Sequence, residues 1–188
     1  MPQGSSARFG LDLAPAGLSL VQELINTALL DPHSRVPDLL ASVESAQGWL
    51  DAALLIWAES TRRAAPTVTL TASDLPRLRA LREAVRAILL QRAVPAVPSQ
   101  RIELELTGGE VTYRPTGEGW RSVSGLVHVE LLLAQHAGAW ERIKTCENPV
   151  CGAAFYDRTR NGSRVWHDTK TCGNVMNLRA SRARRARG

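Results

Sequence analysis

The stretch Cys146–Asn174, CENPVCGAAFYDRTRNGSRVWHDTKTCGN, decides how this chain is read. It contains all three cysteines of the chain, Cys146, Cys151 and Cys172, together with His167. Four residues separate Cys146 from Cys151, four separate His167 from Cys172, and fifteen lie between the two pairs. Zinc takes four thiolate or imidazole ligands in a tetrahedron, and two short-spaced pairs joined by a hairpin supply that set at little loop-closure cost. The predicted ligands are therefore Cys146, Cys151, His167 and Cys172, with Asp168 as the alternative to His167. Strands over 153–158 and 164–167, joined by the two-residue turn signal Asn161-Gly162, would carry His167 back to the first pair. Four protein ligands leave no position for a reactive water, so one structural Zn²⁺ is expected rather than a catalytic one. The competing reading is three free buried cysteines and a surface histidine. His33, His128 and His136 have no cysteine neighbours and read as surface or hydrogen-bonded core residues.

Downstream of Cys172 the chain continues GNVMNLRASRARRARG, a helix-forming composition with no proline. Cys172 would sit near the start of that helix, where the dipole favours a thiolate. Residues 146–188 carry 9 Lys/Arg against 3 Asp/Glu, a net of +6, while residues 1–145 carry a net of −1. All of the excess positive charge thus lies in the last quarter of the chain, which points to an anionic partner. Arginine suits phosphate and guanine because its planar fork donates in pairs. The candidate nucleic-acid contacts are Arg158, Arg160, Arg164 and Lys170 before the helix, and Asn174, Asn177, Arg179, Arg182, Arg184 and Arg185 on it. Asn174, Asn177 and Arg179, near the helix start, are placed to reach base edges. DNA is the first partner expected and RNA the second. A solvated tail that binds polyanions without selectivity is the plain alternative. Phe155, Tyr156 and Trp166 suit either base stacking or a small core over the zinc.

Working outward, residues 1–140 read as a mostly helical domain with one β-hairpin inserted, and 141–188 as the zinc finger of knuckle, hairpin and basic helix. Residues 1–17 are rich in Gly, Ser, Pro and Ala, the composition of a partly disordered segment. Apolar residues at helical spacing predict a helix over Leu18–Leu30, followed by a turn at Asp31-Pro32-His33. A short helix, a break and a second helix capped by Ser42 follow. Ser73 or Asp74 then caps a helix whose apolar face is Leu78, Leu81, Val85, Ile88 and Leu89, with its arginines mostly off that face. Residues 93–100 form a proline-containing linker. RIELEL, Arg101–Leu106, alternates as a half-buried strand does, Gly108-Gly109 is a hairpin turn, and Val111–Arg114 returns. A last helix covers Ser124–Ala137.

These residues resemble the CGNR zinc finger family, named for a Cys-Gly-Asn-Arg run at the last ligand. The matching residues are Cys172-Gly173-Asn174, preceded by Phe155-Tyr156-Asp157-Arg158-Thr159-Arg160-Asn161 and Arg164-Val165-Trp166. Two positions depart from the pattern. His167 stands where the family usually has Cys after the Trp, and Val175 stands where it has Arg. The N-terminal part resembles the helical ABATE domain that accompanies this finger, through Asn26-Thr27, DLLASVESAQGWL at 38–50 and GWR at 119–121. The resemblance implies a bacterial transcription regulator, often of stress responses.

Other classes find less support. No Ser-His-Asp signature, Gly-rich phosphate loop, paired-carboxylate motif or deaminase-type His-x-Glu is present, so the chain is not expected to be an enzyme. No apolar run approaches the ~18 residues of a bilayer span, and the N-terminus lacks a signal peptide's pattern. A cytoplasmic protein follows, with no membrane partner. Trp49, Trp57, Trp120 and Trp140 suit either a small-molecule effector pocket or core packing. A homodimer reading paired half-sites is the further expectation for the larger domain. A zinc-stabilised RNA-binding or protein-interaction module is the alternative to sequence-specific DNA binding.

Overall fold

The structure is a computed structural model describing residues 4–31 and 35–186. Helix α1 spans Leu18–Ile25, α2 Val43–Thr61, α3 Leu75–Leu89, α4 Trp120–His136 and α5 Asn174–Arg185. Strands β1 (Ile102–Thr107) and β2 (Glu110–Pro115) form one antiparallel hairpin, and β3 (Ile143–Thr145) and β4 (Ala154–Tyr156) a second. The fold is thus mainly α, with one small hairpin in the N-terminal part and a finger ending in a basic helix.

The core is organised around α1, which is buried along its whole length. Its apolar positions Leu20, Val21, Leu24 and Ile25 are fully enclosed by α2, α3 and α4. Such burial stabilises by roughly 1.5–3 kcal/mol per side chain. A helix buried on every side must also satisfy its polar residues. The Gln22 amide accepts from the Ala14 amide and donates to the Asp12 carbonyl. The Glu23 carboxylate accepts the backbone amides of Ser5 and Ser6. Arg86 closes the other end, donating to the carbonyls of Ile25 and Ala28 at 2.9 and 2.7 Å.

These bonds correct the expectation for residues 1–17. From Gly4 onward the segment is ordered against α1, with Ser5 and Ser6 fully buried and a 3-10 turn at Ser6–Phe9. Composition misleads here because the segment is held by α1's polar groups together with only a few apolar residues of its own, Phe9, Leu11 and Ala14. Helix α1 also stops five residues short of Leu30, because Thr27 returns its hydroxyl to the Leu24 carbonyl and the Asn26 side chain is engaged elsewhere. The turn expected at Asp31-Pro32-His33 lies outside the described residues apart from Asp31, as do His33 and Arg187.

Ser42 caps α2 as expected, in a reciprocal capping box with Ser45. Among the described residues 35–41 no helix forms; the Asp38 carboxylate instead accepts from the Leu40 amide in a local turn. On α3 the arginines are less peripheral than the helical wheel suggests. Arg82 and Arg86 are buried, and Arg82 grips Asp38 through both terminal nitrogens at 2.7 and 2.9 Å. Asp74 does not cap its own helix through its side chain; it accepts from Thr71 and from the backbone amide of Trp120, tying the starts of α3 and α4 together.

The β1–β2 turn is formed by Gly108 and Gly109 at φ +63° and +85°, the left-handed pair that a two-residue hairpin demands. The hairpin packs on α4 through its base, where the absence of a side chain at Gly125 admits Pro115 and Ile102, and through Tyr113. The alternation of RIELEL therefore sets the faces but not the burial, and Leu104 and Leu106 remain 71% and 74% exposed. Trp49, Trp57 and Trp120 are core residues. No described helix is long and apolar enough to cross a membrane.

Candidate metal centre and nucleic-acid interface

Strand β3 leads directly into Cys146, whose amide extends the ladder to the Ala153 carbonyl at 2.9 Å. Between them the chain turns through Glu147-Asn148-Pro149-Val150, closed by the Cys151 amide donating to the Asn148 carbonyl at 2.8 Å. Gly152 then takes φ +63° and lies so close to Leu30 that a Cβ would fall 2.2 Å from its Cγ. This is the first knuckle. Its hairpin partner is β3 and not the segment 164–167, which corrects the predicted pairing. Thr159 and the Arg164 amide are instead drawn onto the Asp157 carboxylate, which keeps 164–167 out of the ladder, and the Cys146 amide continues the β3–β4 pairing into the knuckle. Segment 164–167 runs alongside without forming a strand, and the Glu147 amide donates to the Val165 carbonyl at 3.0 Å.

The return loop is organised by Asp157, which is fully buried. Its carboxylate accepts from Lys144 Nζ, from the amide and hydroxyl of Thr159, and from the Arg164 amide, at 2.6–2.9 Å. Burial alone would raise this group, but those bonds hold it far below the usual carboxylate range. Arg142 adds bonds to the carbonyls of Asp157 and Thr159. The loop thus delivers His167 to the knuckle. Asp168, half-buried, accepts the Lys170 amide at 2.6 Å and starts a π turn, Thr169–Gly173, that carries Cys172. Asp168 is therefore a cap and not a ligand. Gly173 leaves room for Trp166, whose Cδ1 would stand 3.0 Å from a Cβ there.

The outcome is a cluster of Cys146, Cys151, His167 and Cys172 whose donor atoms all lie within 4.8 Å of one another. The Nδ1 of His167 is 3.4 Å from the Cys151 sulfur. A tetrahedron with zinc–sulfur bonds of about 2.3 Å has edges of about 3.8 Å, so the donors fit one zinc ion. Hydrogen bonds from Cys151 and from His167 pull the Cys146 thiol far down against its burial. That same bond and burial push Cys151 up, and burial pushes Cys172 up although Asn148 donates to its sulfur at 3.2 Å. Three crowded sulfurs cannot all ionise by sharing protons; a divalent cation allows it. With four protein ligands the zinc is structural. Phe9, Leu11, Leu29 and Trp166 pack over the cluster, so its small core draws on the N-terminal segment as well as on the finger.

Two contacts that residue patterns do not display fasten this centre to the helices. The Asn26 side chain donates to the Ala154 carbonyl at 2.9 Å and accepts the Ala154 amide at 2.8 Å, closing a two-point bridge between α1 and β4. The Leu30 amide donates to the Cys151 carbonyl. Asn26 carries a sequence signal only through the Asn-Thr resemblance; Asp157 sits in the quoted motif, and Asn148 and Lys144 carry no signal.

Helix α5 leaves the cluster through Asn174, and none of its residues is buried. Asn177, Arg179, Arg182, Arg184 and Arg185 are exposed on it. Arg179, Arg182 and Arg185 share a face with Val175 and Leu178, while Arg184 lies toward the other side. Arg160 and Lys170 are exposed nearby. Three of the other predicted contacts have intramolecular partners. Asn174 donates to the Lys170 carbonyl, Arg158 donates to the Leu13 carbonyl, and Arg164 donates to the carbonyls of Trp166 and His167 while lying over the Phe155 ring. Phe155 is buried, and Trp166 packs against the zinc cluster.

A helical body clasping a Cys₃His zinc finger, from which a basic helix projects, is a zinc-binding protein. The chain belongs to the ABATE family, described as "Putative stress-induced transcription regulator", which matches residues 18–140. The CGNR zinc finger matches residues 142–185. No curated protein matches the chain.

Proposed function

We propose that this protein is a zinc-dependent, DNA-binding transcription regulator of the bacterial cytoplasm, without enzymatic activity of its own. In this reading the chain divides near residue 140. Residues 141–188 bind DNA, and residues 1–140 sense a ligand or assemble a dimer.

The observation that carries the reading is α5. A helix with no buried residue gains nothing from its own fold for its position, and this one carries Arg179, Arg182, Arg184 and Arg185 with no acidic residue. Its 12 residues stand at the lower limit of the ~12–15 under which isolated helices are marginal, so a partner is the natural source of its order. An exposed helix of this size fits the major groove, where arginine reads guanine and backbone phosphate. Arg160 and Lys170 would extend the phosphate contacts, and Asn177 and Arg179 would face base edges. Arg164 and Asn174, held within the finger, would shape the surface rather than touch DNA.

The test is anisotropy of a labelled duplex with zinc-loaded protein across a salt series. Log K should fall with log salt by about 0.9 per phosphate contacted. Replacing Arg179 and Arg182 with Ala should flatten that slope by about 2. A slope unchanged in the variant would remove α5 from the interface. Preference for single-stranded RNA over the duplex would replace DNA as the partner.

A further inference from the structure

A cleft of about 420 Å³ opens between the start of α1, the end of α2, β2 and the end of α4. Leu18, Leu133, Ala134 and Ala137 give it apolar walls. Arg63 and Glu130 are the charged residues of its lining, and Glu130 is only 4% exposed. Its Oε1 accepts the Trp57 indole N–H at 2.6 Å and the Tyr113 hydroxyl. Burial and that bond push the Tyr113 hydroxyl well above the ordinary phenol range, so it remains a donor. Both donors use the same oxygen. Among the described residues no donor reaches Oε2 and no Lys, Arg or His lies within ion-pair distance of the carboxylate.

The nearest arginine lining the cleft, Arg63, places its guanidinium over the Tyr113 ring, 4.2 Å from the centroid, and not on Glu130. Gly17 holds the carboxylate in place from below. A Cβ at Gly17 would fall 1.8 Å from Oε2, so the backbone there is pressed against the group. With Oε1 held by the indole and the phenol, the second oxygen is left to accept from whatever occupies the cleft, water or ligand. Tertiary structure elsewhere in this chain satisfies such groups fully, as at Glu23 and Asp157.

We propose that this cleft binds a small apolar ligand carrying a protonated amine, whose N–H donates to Glu130 Oε2 while its hydrocarbon lies against the α1 and α4 walls. The site deepens the ligand-sensing part of the proposed function, and it is tested by binding alone, so its failure leaves the DNA reading untouched. The Trp57 indole bonds to the same carboxylate and is a built-in reporter. The ¹⁵N-labelled, zinc-loaded full chain is titrated with cyclohexylammonium chloride, following the Trp57 indole resonance assigned with Trp57→Phe, and in parallel with cyclohexanol. A saturable shift with the amine is expected, at least about tenfold weaker with the alcohol and with Glu130→Gln, as the loss of a charged hydrogen bond requires. Should Glu130→Gln not fold, Ala137→Trp, at an exposed position on the cleft's rim, is expected to weaken amine binding by obstruction. The proposal is overturned if the indole does not respond to the amine, if the alcohol binds as well, or if neither variant weakens binding.

Discussion

Four donors converge on the buried Asp157 carboxylate, and three of the four come from residues 159 and 164, the arms of the loop that carries His167 to the zinc. Removing that charge should be felt well beyond the residue. Asp157→Asn turns two acceptor oxygens into one and leaves Lys144 facing an amide, a change expected to cost about 2–4 kcal/mol. Urea unfolding at pH 7 with zinc present measures it; a cost near zero would show that the loop is held by the zinc alone. Asp38 allows a test of charge by pH. Burial pushes this carboxyl up, but the Arg82 fork and the Leu40 amide outweigh it and leave it below its ordinary value. A depressed folded value means that the stabilisation is present above the unfolded pKa of about 3.9 and is lost as pH falls below it. The stability gap between the native chain and Asp38→Asn should therefore hold from about pH 7 to 5 and close below about pH 4. The zinc ligands are legible in the sequence because cysteine is rare and spacing is local. The bonds made by Asp157, Asn148 and Asn26 are not, since their partners are brought near only by the fold.

At the scale of elements, local signals are read where the deciding interaction is local. The capping box at Ser42 is one: Ser42→Ala should cost about 1 kcal/mol and lower the melting temperature by roughly 2–4 °C, measured by circular dichroism. An unchanged melting temperature would mean that α2 is positioned by its packing alone. The Gly108-Gly109 turn and the strands it joins are equally legible, because a two-residue turn fixes register by itself. The finger's hairpin is not. Ala154–Tyr156 has a strand's composition, but its partner is the three-residue Ile143–Thr145, too short to show any pattern. The knuckle between them selects the pairing, and the turn signal at Asn161-Gly162 serves only the Asp157 loop. Burial of the β1–β2 hairpin is also illegible, since alternation assigns faces without saying what lies opposite them.

Across the whole molecule, the zinc centre and the helical body share one structure. Ala154 is a core residue of the helices and is bonded to Asn26, Leu30 meets Gly152, and Phe9 and Leu11 cover the cysteines. Charge asymmetry along the chain is visible in sequence; this interlocking is not, because it rests on the N-terminal segment folding back. Metal removal should therefore reach α1. Chelation is expected to speed amide exchange at Ala154, Ser5 and Ser6 as well as in the finger, since the Ala154 amide bonds to Asn26 and those of Ser5 and Ser6 to Glu23. Exchange confined to residues 146–173 would show the finger to be thermodynamically separate.

In the proposed function α5 reads DNA from a zinc-held base. Selection from random duplex DNA, with zinc-loaded protein beside the Arg179→Ala/Arg182→Ala variant, tests it most directly. Enrichment of a defined motif by the native chain, and its loss in the variant, is expected. Retention of duplexes without any motif, or a motif equally enriched by the variant, would contradict it.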